Sequence, residues 1–480
     1  MMAGNEIHSG KPAKESLLSR IALRFTAFTE KWMPDAFGFV LVGTIIVLLL
    51  GMATGETPTK MVDSWGKGFW SLIPFTLQMA MIIVGGYAVA TSGLMARLIS
   101  RLARIPSTPR TAIVLTAFVS MITSYLNWAF SLIFTAIMAK EIARKVPRTD
   151  YRALSAMSFI GLGTVWAQGL SGSAALQVAN RISSPEAIQE IIAAGRGGEG
   201  IIPLSKTIFL WQSFVCVLIL MAVVLVLAWF MAPSPERSVS AKELGINIDA
   251  KDEGNGHETG GKPRPGDFIE RSPFITLLIL IVGIFYLVRH FSSGPGSAFD
   301  RLDLNTINMI LLLLGLLLHW RPYRMAQAIK DGSPSAAGVL LQYPLYGGIF
   351  GMIVYTGLSE RIANLLVSVA NATFYPAMIS LYSFVLGIFV PSAGSKWVIE
   401  APYVIGAANK LMVNQGWMVV VYDLGEASAN LVQPFWMIPI LAILGLKARD
   451  IMGYTFAFCL ICFPVVLLLT TIFAKTLSFP

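Results

Sequence analysis

Long apolar runs without a charged side chain follow one another along the chain, separated by short polar segments. An α-helix needs roughly 20 apolar residues to cross about 30 Å of hydrocarbon. Backbone groups in hydrocarbon must be hydrogen-bonded internally, so the runs predict helices or hairpins buried in protein. The charge-free runs are 36–55, 68–96, 111–139, 153–180, 207–235, 272–288, 304–320, 332–359, 362–395 and 451–474.

The order of these runs predicts an all-α polytopic membrane protein. It would have about nine spanning helices plus two re-entrant hairpins, arranged as two inverted repeats. The first transmembrane repeat would occupy 36–232 and the second 272–480. The polar, Gly- and Pro-rich stretch 233–271 predicts a flexible cytoplasmic linker between them. Residues 1–35 are basic and amphipathic, which predicts a cytoplasmic or interfacial segment.

Basic side chains mark one side of the predicted membrane. Cytoplasmic loops of membrane proteins carry an excess of Lys and Arg. Both the stretch before the first run and the loop after the second run are basic, so both should be cytoplasmic. The side chains are Lys11, Lys14, Arg20, Arg24 and Lys31 in the first case, and Arg97, Arg101, Arg104 and Arg110 in the second.

The run 111–139 has strongly basic flanks at both ends. A single crossing would place one basic cluster outside, against the charge rule. A hairpin that enters and leaves on the cytoplasmic side avoids this, with Ser124, Asn127 and Trp128 at its tip. The alternative is an ordinary span with a polar-lined face. A second hairpin is predicted near 373–400, entering from the opposite side.

Four clusters of small polar residues lie at corresponding places in the two halves. Carriers bind solutes near the midplane, at the ends of broken helices, where free N–H groups favour a carboxylate. Each cluster alone is also compatible with close helix packing. The predicted substrate-binding residues are Asn127 and Trp128 at the first hairpin, Ser171, Gly172 and Ser173 at the first break, Ser392, Gly394 and Ser395 at the second hairpin, and Ser428 and Asn430 at the second break.

The apolar run 411–446 is interrupted by two acids, Asp423 and Glu426. They lie three residues apart and would share a helix face. A carboxylate inside a membrane is costly, so the pair predicts an ion-coupling or substrate-binding role. The alternative is that Asp423 lies at a helix end near water. Lys396 and Glu400 are four apart and would pair with each other, unless Lys396 attracts an anionic substrate.

Composition narrows the classes of function. Hydrophobic residues make up 55% of the 480 residues and charged residues 13%, whereas soluble chains carry about 25% charged residues. The net charge of +9 is explained by basic cytoplasmic loops, so we expect no nucleic-acid partner. The four His residues have no metal-ligand spacing, and no P-loop occurs. We therefore expect no enzyme, no metal centre and no cofactor beyond a coupling ion.

Several segments resemble the bacterial short-chain fatty acid transporter family. They are SYLNWAFSLIFTAIMAKEIAR, GLGTVWAQGLSGSAAL, FVPSAGSKWVIEAP and DLGEASANLVQPFW. The resemblance covers nearly the whole chain, and the last two segments are its most specific parts. The family is similar in architecture to the ion transporter superfamily, although the Ser-Asn-Thr triplets of that superfamily are absent here.

The resemblance implies ion-coupled symport, with H⁺ or Na⁺, of short-chain fatty acids or related monocarboxylates such as butyrate and acetoacetate. It implies a homodimer in the bilayer of a bacterial inner (cytoplasmic) membrane, and an elevator-like movement. The alternatives are an antiporter or exporter of another small organic anion such as a dicarboxylate, or a channel. Carried over onto this chain, the site would consist of Asn127, Ser171, Ser173, Ser392, Ser395, Ser428 and Asn430.

Overall fold

A computed structural model describes residues 36–234, 236–248, 265–293 and 301–480. All regular secondary structure in these ranges is helical, which confirms the predicted all-α class. The predicted amphipathic segment 1–35 lies outside the described residues, as does 249–264 of the predicted linker.

The described residues before the linker, 36–232, form ten α-helices. The chain between the seventh and eighth is wound into short 3₁₀ turns. The helices are α1 (Ala36–Ala53), α2 (Pro58–Phe69), α3 (Ile73–Ala90), α4 (Gly93–Leu102), α5 (Pro109–Leu126), α6 (Trp128–Lys145), α7 (Tyr151–Phe159), α8 (Ser173–Val178), α9 (Glu186–Arg196) and α10 (Trp211–Met231).

The remainder of the described chain forms eleven more. The helices are α11 (Pro265–Arg271), α12 (Pro273–Ser292), α13 (Leu304–His319), α14 (Pro322–Gly332), α15 (Ala337–Tyr355), α16 (Leu358–Val369), α17 (Tyr375–Phe389), α18 (Ala393–Leu411), α19 (Gln415–Ala429), α20 (Ile438–Leu444) and α21 (Ala448–Ala474).

Length and composition suit many of these helices to a membrane. Among the described residues, seven helical stretches are long and apolar enough to cross one, and four shorter apolar helices accompany them. Burial differs widely between them: 94% of the most apolar part of Tyr151–Val178 is buried inside the protein, against 17% in Pro273–Ser292. The first stretch is therefore internal and the second faces its surroundings. The count of about nine spans and the two inverted repeats stay predictions.

The first turn of interest joins α5 to α6 at a single residue, Asn127. Its backbone is extended (φ −160°, ψ 122°), and its N–H donates to Thr123 O to end α5. Its side-chain Oδ1 accepts from the Phe130 N–H at 2.8 Å and so caps α6. Asn is among the best N-cap residues because its short side chain reaches this N–H. One residue thus ends one helix and begins the next, and α5 packs against α6.

The corresponding turn between α17 and α18 takes three residues, 390–392. Pro391 lacks an N–H and restricts the residue before it, which ends α17 at Phe389. Ser392 precedes α18 with an extended backbone, but its hydroxyl does not cap the helix. The stretch continues to Leu411 with Pro402 inside it.

Both long internal segments that follow the turns are interrupted. After α7 the chain forms 3₁₀ turns at Ile160–Gly163 and Trp166–Gln168 before α8 begins. In the other half α19 continues unbroken to Ala429, and the interruption lies at 430–434. Gly169 is required at the first interruption, because an added Cβ would lie 2.0 Å from Tyr125 O of α5.

Residues 236–248 of the predicted linker are held against the start of α7. The Val239 N–H donates to Oδ2 of the buried Asp150 at 3.0 Å. Further along, the Ser240 backbone N–H and hydroxyl donate to the Glu243 carboxylate at 2.7 and 2.8 Å. These hydrogen bonds lower the pKa of Glu243, since they stabilise its charged form.

Candidate binding site

A cavity lies where the first turn meets the two interruptions. The first turn supplies Trp128, the first interruption supplies three residues, and the second interruption supplies Asn430. Helices α3 and α15 close the remaining sides. The lining residues are Met79, Trp128, Leu162, Trp166, Ser173, Val339, Tyr343, Asn430 and Trp436.

Three tryptophans form the aromatic part of this lining. The Trp128 ring lies edge-on to Trp436 at 5.0 Å between centroids, and edge-on to Trp166 at 6.4 Å. The Trp436 indole N–H donates to Pro391 O at 2.9 Å and so ties the cavity to the second turn. The indole N–H groups of Trp128 and Trp166 are buried and have no hydrogen-bond partner among the described residues. They are donors available to a bound solute.

Side chains near the first turn accept hydrogen bonds from the backbone N–H groups at the start of α6. Besides the Asn127 cap, Ser171 Oγ accepts from the Trp128 N–H at 3.0 Å. The Leu170 N–H donates to Tyr125 O at 2.8 Å, which fixes the interruption against the turn. The start of α6 is therefore occupied by protein groups, and Asn127 and Ser171 support the cavity from behind Trp128.

The second turn leaves its helix end open. Ser392 Oγ contacts Ser395 Oγ at 2.6 Å and Tyr343 Oη at 3.4 Å, and no described side chain caps α18. An uncapped start exposes N–H groups and partial positive charge. Gly394 keeps this end close to the cavity wall, since an added Cβ would lie 3.2 Å from Tyr343 Oη and 2.8 Å from Phe75.

The second interruption is connected to the first across the cavity. The Asn430 side chain donates to Leu162 O at 3.1 Å, and Gln433 donates to Asn430 Oδ1 at 2.8 Å. Ser428 lies two residues earlier, and its hydroxyl donates within α19 to Leu424 O at 2.9 Å. Asn430 thus reaches the cavity, whereas Ser428 is used inside its own helix.

A buried charged cluster lies behind the second turn, on α17, α18 and α19. Lys396 Nζ is 2.5 Å from Glu426 Oε2 and 3.7 Å from Glu400 Oε1, and all three side chains are at most 1% exposed. Lys396 donates to Ser383 O at 2.7 Å and to Ser383 Oγ at 2.9 Å. Its ammonium also lies 4.8 Å from the centre of the Tyr422 ring. The lysine pairs inside the protein and does not line the cavity.

Asp423 is fully buried on the same helix, α19, but has different neighbours. The backbone amides of Ala174 and Ala175, in the first turn of α8, face its carboxylate. No hydrogen bond of good geometry reaches either carboxylate oxygen within the described ranges. Gly172, just before α8, allows the tight approach to Ala167 O, since an added Cβ would lie 2.2 Å from that oxygen.

The structure brings some predicted site residues together and places others elsewhere. Trp128, Ser173 and Asn430 line the cavity, and Tyr343 and Trp436, which sequence reasoning missed, complete it. The sequence signal for Trp436 was its position just after the second polar cluster. Among the described residues, no group of three His, Cys, Asp or Glu is placed to hold a metal ion. Asn127, Ser171, Gly172, Ser392 and Gly394 lie directly behind the lining, and Ser395, Ser428, Asp423 and Glu426 lie further away.

Comparison with known proteins identifies the class to which this site belongs. A family model described as short chain fatty acid transporter matches residues 17–474. The chain belongs to the short-chain fatty acid transporter family. A protein of Escherichia coli, provisionally named a short-chain fatty acid transporter, is 35% identical over 91% of this chain and 96% of its own length. A protein of Haemophilus influenzae with the same provisional name is 32% identical over the same shares.

Solved structures show that this family member shares a known transporter fold. The YdaH transporter of Alcanivorax borkumensis aligns with a TM-score of 0.60 and 16% identity, over 92% of this chain and 99% of its own. MtrF of Neisseria gonorrhoeae, described as one of a class of antimetabolite efflux pumps, aligns with a TM-score of 0.62 and 13% identity, over 95% and 99%. At these identities the likeness shows the fold alone. The short-chain fatty acid transporter family member is thus a multi-pass membrane protein and a transporter, not an enzyme.

Proposed function

We propose that this chain is a symporter that couples H⁺ or Na⁺ to the uptake of short-chain monocarboxylates such as butyrate and acetoacetate. The observation that carries the proposal is the cavity between the first turn and the two interruptions. Small-molecule sites are concave and mostly apolar, with a few polar groups that fix orientation. This cavity has aromatic and aliphatic walls and two free indole N–H groups.

The two ends of such an acid would have different neighbours. The open start of α18, with Ser392 and Tyr343 beside it, supplies donors for the carboxylate. Trp128 and Trp436 offer apolar ring surface to the alkyl chain. The described lining contains no Lys or Arg. Neutral donors of this kind favour a single negative charge over a dicarboxylate.

Coupling is proposed to act through α8. Ser173 lines the cavity, and the next two residues, Ala174 and Ala175, turn their amides toward Asp423. A substrate anion at Ser173 and the charge of Asp423 thus act on the same short helix from two sides. Neutralising Asp423 with a coupling ion lowers the repulsion between them. Glu426 takes part through its pairing with Lys396.

The cellular setting is also part of the proposal. We place the chain as a homodimer in a bacterial inner membrane with a cytoplasmic N-terminus, moving its substrate by an elevator-like displacement. The basic segments before the first run and after the second support this orientation. The two interruptions that line one cavity, each following a helix–turn–helix pair, support two inverted repeats at 36–232 and 272–480, joined by 233–271.

Uptake of radiolabelled butyrate into proteoliposomes tests the proposal, with H⁺ and Na⁺ gradients imposed separately. We expect saturable uptake driven by one gradient, inhibited by acetoacetate and not by succinate. Trp128→Phe removes one indole N–H and should lower uptake about tenfold, while Asp423→Asn should abolish the gradient dependence. Trp70→Phe, at a tryptophan that is 67% exposed, is the matched control. Butyrate flux that ignores both gradients, or unitary currents in a bilayer, would refute symport.

A further inference from the structure

The ammonium of Lys396 lies inside a set of oxygen atoms. Ser383 contributes its carbonyl oxygen at 2.7 Å and its hydroxyl at 2.9 Å, and Glu426 and Glu400 contribute carboxylate oxygens at 2.5 and 3.7 Å. The face of Tyr422 lies 4.8 Å away and adds its π electrons. We refer to these groups as the Lys396 cage. Every one of them comes from a buried residue on α17, α18 or α19.

Backbone carbonyls, hydroxyls and carboxylates near broken helices are also the groups with which carriers hold Na⁺. The Lys396 cage has all three kinds. The cage differs from an ion site because its positive charge is the ammonium group of Lys396, which is covalently attached to α18.

The two carboxylates of the Lys396 cage support the comparison with a Na⁺ site. Without Lys396, Glu426 and Glu400 would be two buried carboxylates without an opposing charge, and burying unpaired charges is costly. A cation placed between them offsets that cost, as protons on the two carboxylates also would. Lys396 is the cation that the described chain provides there.

We propose that Lys396 is a built-in cation, which fills a monovalent-cation site in the second half of the carrier and keeps dissolved ions out of it. One consequence concerns the proposed symport and rests on it. The positive charge behind the second turn moves with the protein and is not exchanged with the solution. The coupling ion then binds elsewhere in the molecule. Removing the lysine side chain should turn the cage into a site for Na⁺ or methylammonium.

The test is thermal unfolding of the purified full-length protein in detergent. Each variant is heated in sodium, methylammonium or choline chloride at equal ionic strength. Lys396→Ala should melt about 3 °C or more higher in sodium or methylammonium than in choline, because a ligand that binds only the folded state stabilises it. The wild type should show a smaller difference.

Two further variants serve as controls. Lys140→Ala removes another nearly buried lysine, 8% exposed and outside the cage, and should respond to the salts like the wild type. Lys396→Ala combined with Glu426→Gln removes one cage carboxylate together with the lysine. The double variant should lose most of the extra salt response, because the cation then has one charged partner fewer.

The proposal is overturned if Lys396→Ala and the wild type respond equally to the three salts. It is also overturned if Lys396→Ala yields no folded protein in any of them, because the proposal requires rescue by a dissolved cation. These measurements contain no butyrate, so they separate the two proposals. A salt response without butyrate uptake would refute the symport and support the cage. Butyrate uptake without the salt response would refute the cage and support the symport.

Discussion

Ser131 stands four residues after Asn127 in the first turn, and Lys396 stands four residues after Ser392 in the second. Each lies where its hairpin helix passes the preceding helix. Around Ser131 the partners are hydroxyls and a carbonyl, at 2.7 Å from Thr123 Oγ1, 2.9 Å from Ser124 Oγ and 3.2 Å from Ser120 O. Around Lys396 they are carboxylates and Ser383.

The backbone contacts behind these two residues are alike. Ser120 Oγ donates to Ser158 O at 3.0 Å in one half, and Ser383 Oγ donates to Tyr422 O at 3.1 Å in the other. A glycine follows three residues after each acceptor. The comparison indicates that the two halves share a backbone arrangement but differ in side-chain chemistry. The cluster in the first half is neutral, and the cluster in the second half is charged. It also favours the inverted-repeat interpretation, which stays a prediction.

The largest expected effect is a loss of stability in the charged half when Lys396 is removed. Lys396→Met leaves Glu426 and Glu400 buried without a cation and should cost about 3–5 kcal/mol of stability. Adding Glu426→Gln should recover a large part of that loss, because the pair is then removed and not broken. Thermal unfolding in detergent measures both. A double variant no more stable than the single one would contradict the account.

The next effect should be the same in both halves. An added Cβ at Gly161 would lie 2.3 Å from Ser120 O, and one at Gly425 would lie 2.2 Å from Ser380 O. Replacing either with Ala should therefore cost about 1–3 kcal/mol through overpacking. Gly66→Ala is the control, since its Cβ would meet nothing within 4 Å and Ala is the better helix former. A loss at only one of the two glycines would break the comparison.

Two serine-to-alanine substitutions compare the hydrogen bonds of the charged cluster with those of the neutral cluster. Ser383→Ala removes a hydrogen bond to an ammonium group and should cost about 2 kcal/mol, whereas Ser131→Ala removes neutral hydrogen bonds and should cost about 1 kcal/mol. Both are read from shifts in melting temperature under one set of conditions. If Ser131→Ala proved the more damaging change, the neutral cluster would be the stronger of the two.

The smallest effect concerns the helix ends. Asn127→Ala removes the cap on α6 and should cost about 1 kcal/mol, while Asn127→Asp should keep the cap. Ser392→Ala removes no cap and should change stability less than half as much, but it should reduce butyrate uptake in proteoliposomes. Equal losses of stability at the two positions would show that the second turn is capped after all.

The sequence predicted the helical class, the family, and three residues of the cavity lining, because runs of apolar residues and small polar clusters are local patterns. It could not predict which side chains meet. The spacing of four suggested Glu400 as the partner of Lys396, yet Glu426, thirty residues further on, is closer at 2.5 Å against 3.7 Å. A partner on another helix depends on packing, which no local pattern records.

Asp423 and Glu426 show the same limit. Their spacing placed them correctly on one helix, but a shared helix does not mean a shared partner. Glu426 meets Lys396, and Asp423 meets the amides of α8 from the other half of the chain. Tyr343 was missed because an aromatic residue in an apolar run has no distinguishing pattern until α15 is placed against the second turn.

Asn127 has a further consequence for how the family can vary in length. Because it ends α5 and caps α6 at once, the first turn has no loop in which an extra residue could be placed. An insertion there would also rotate Trp128 away from Ser171. The second turn has three residues and no cap to preserve. Among related sequences we expect the first turn to be free of gaps, and changes of length to be confined to the second.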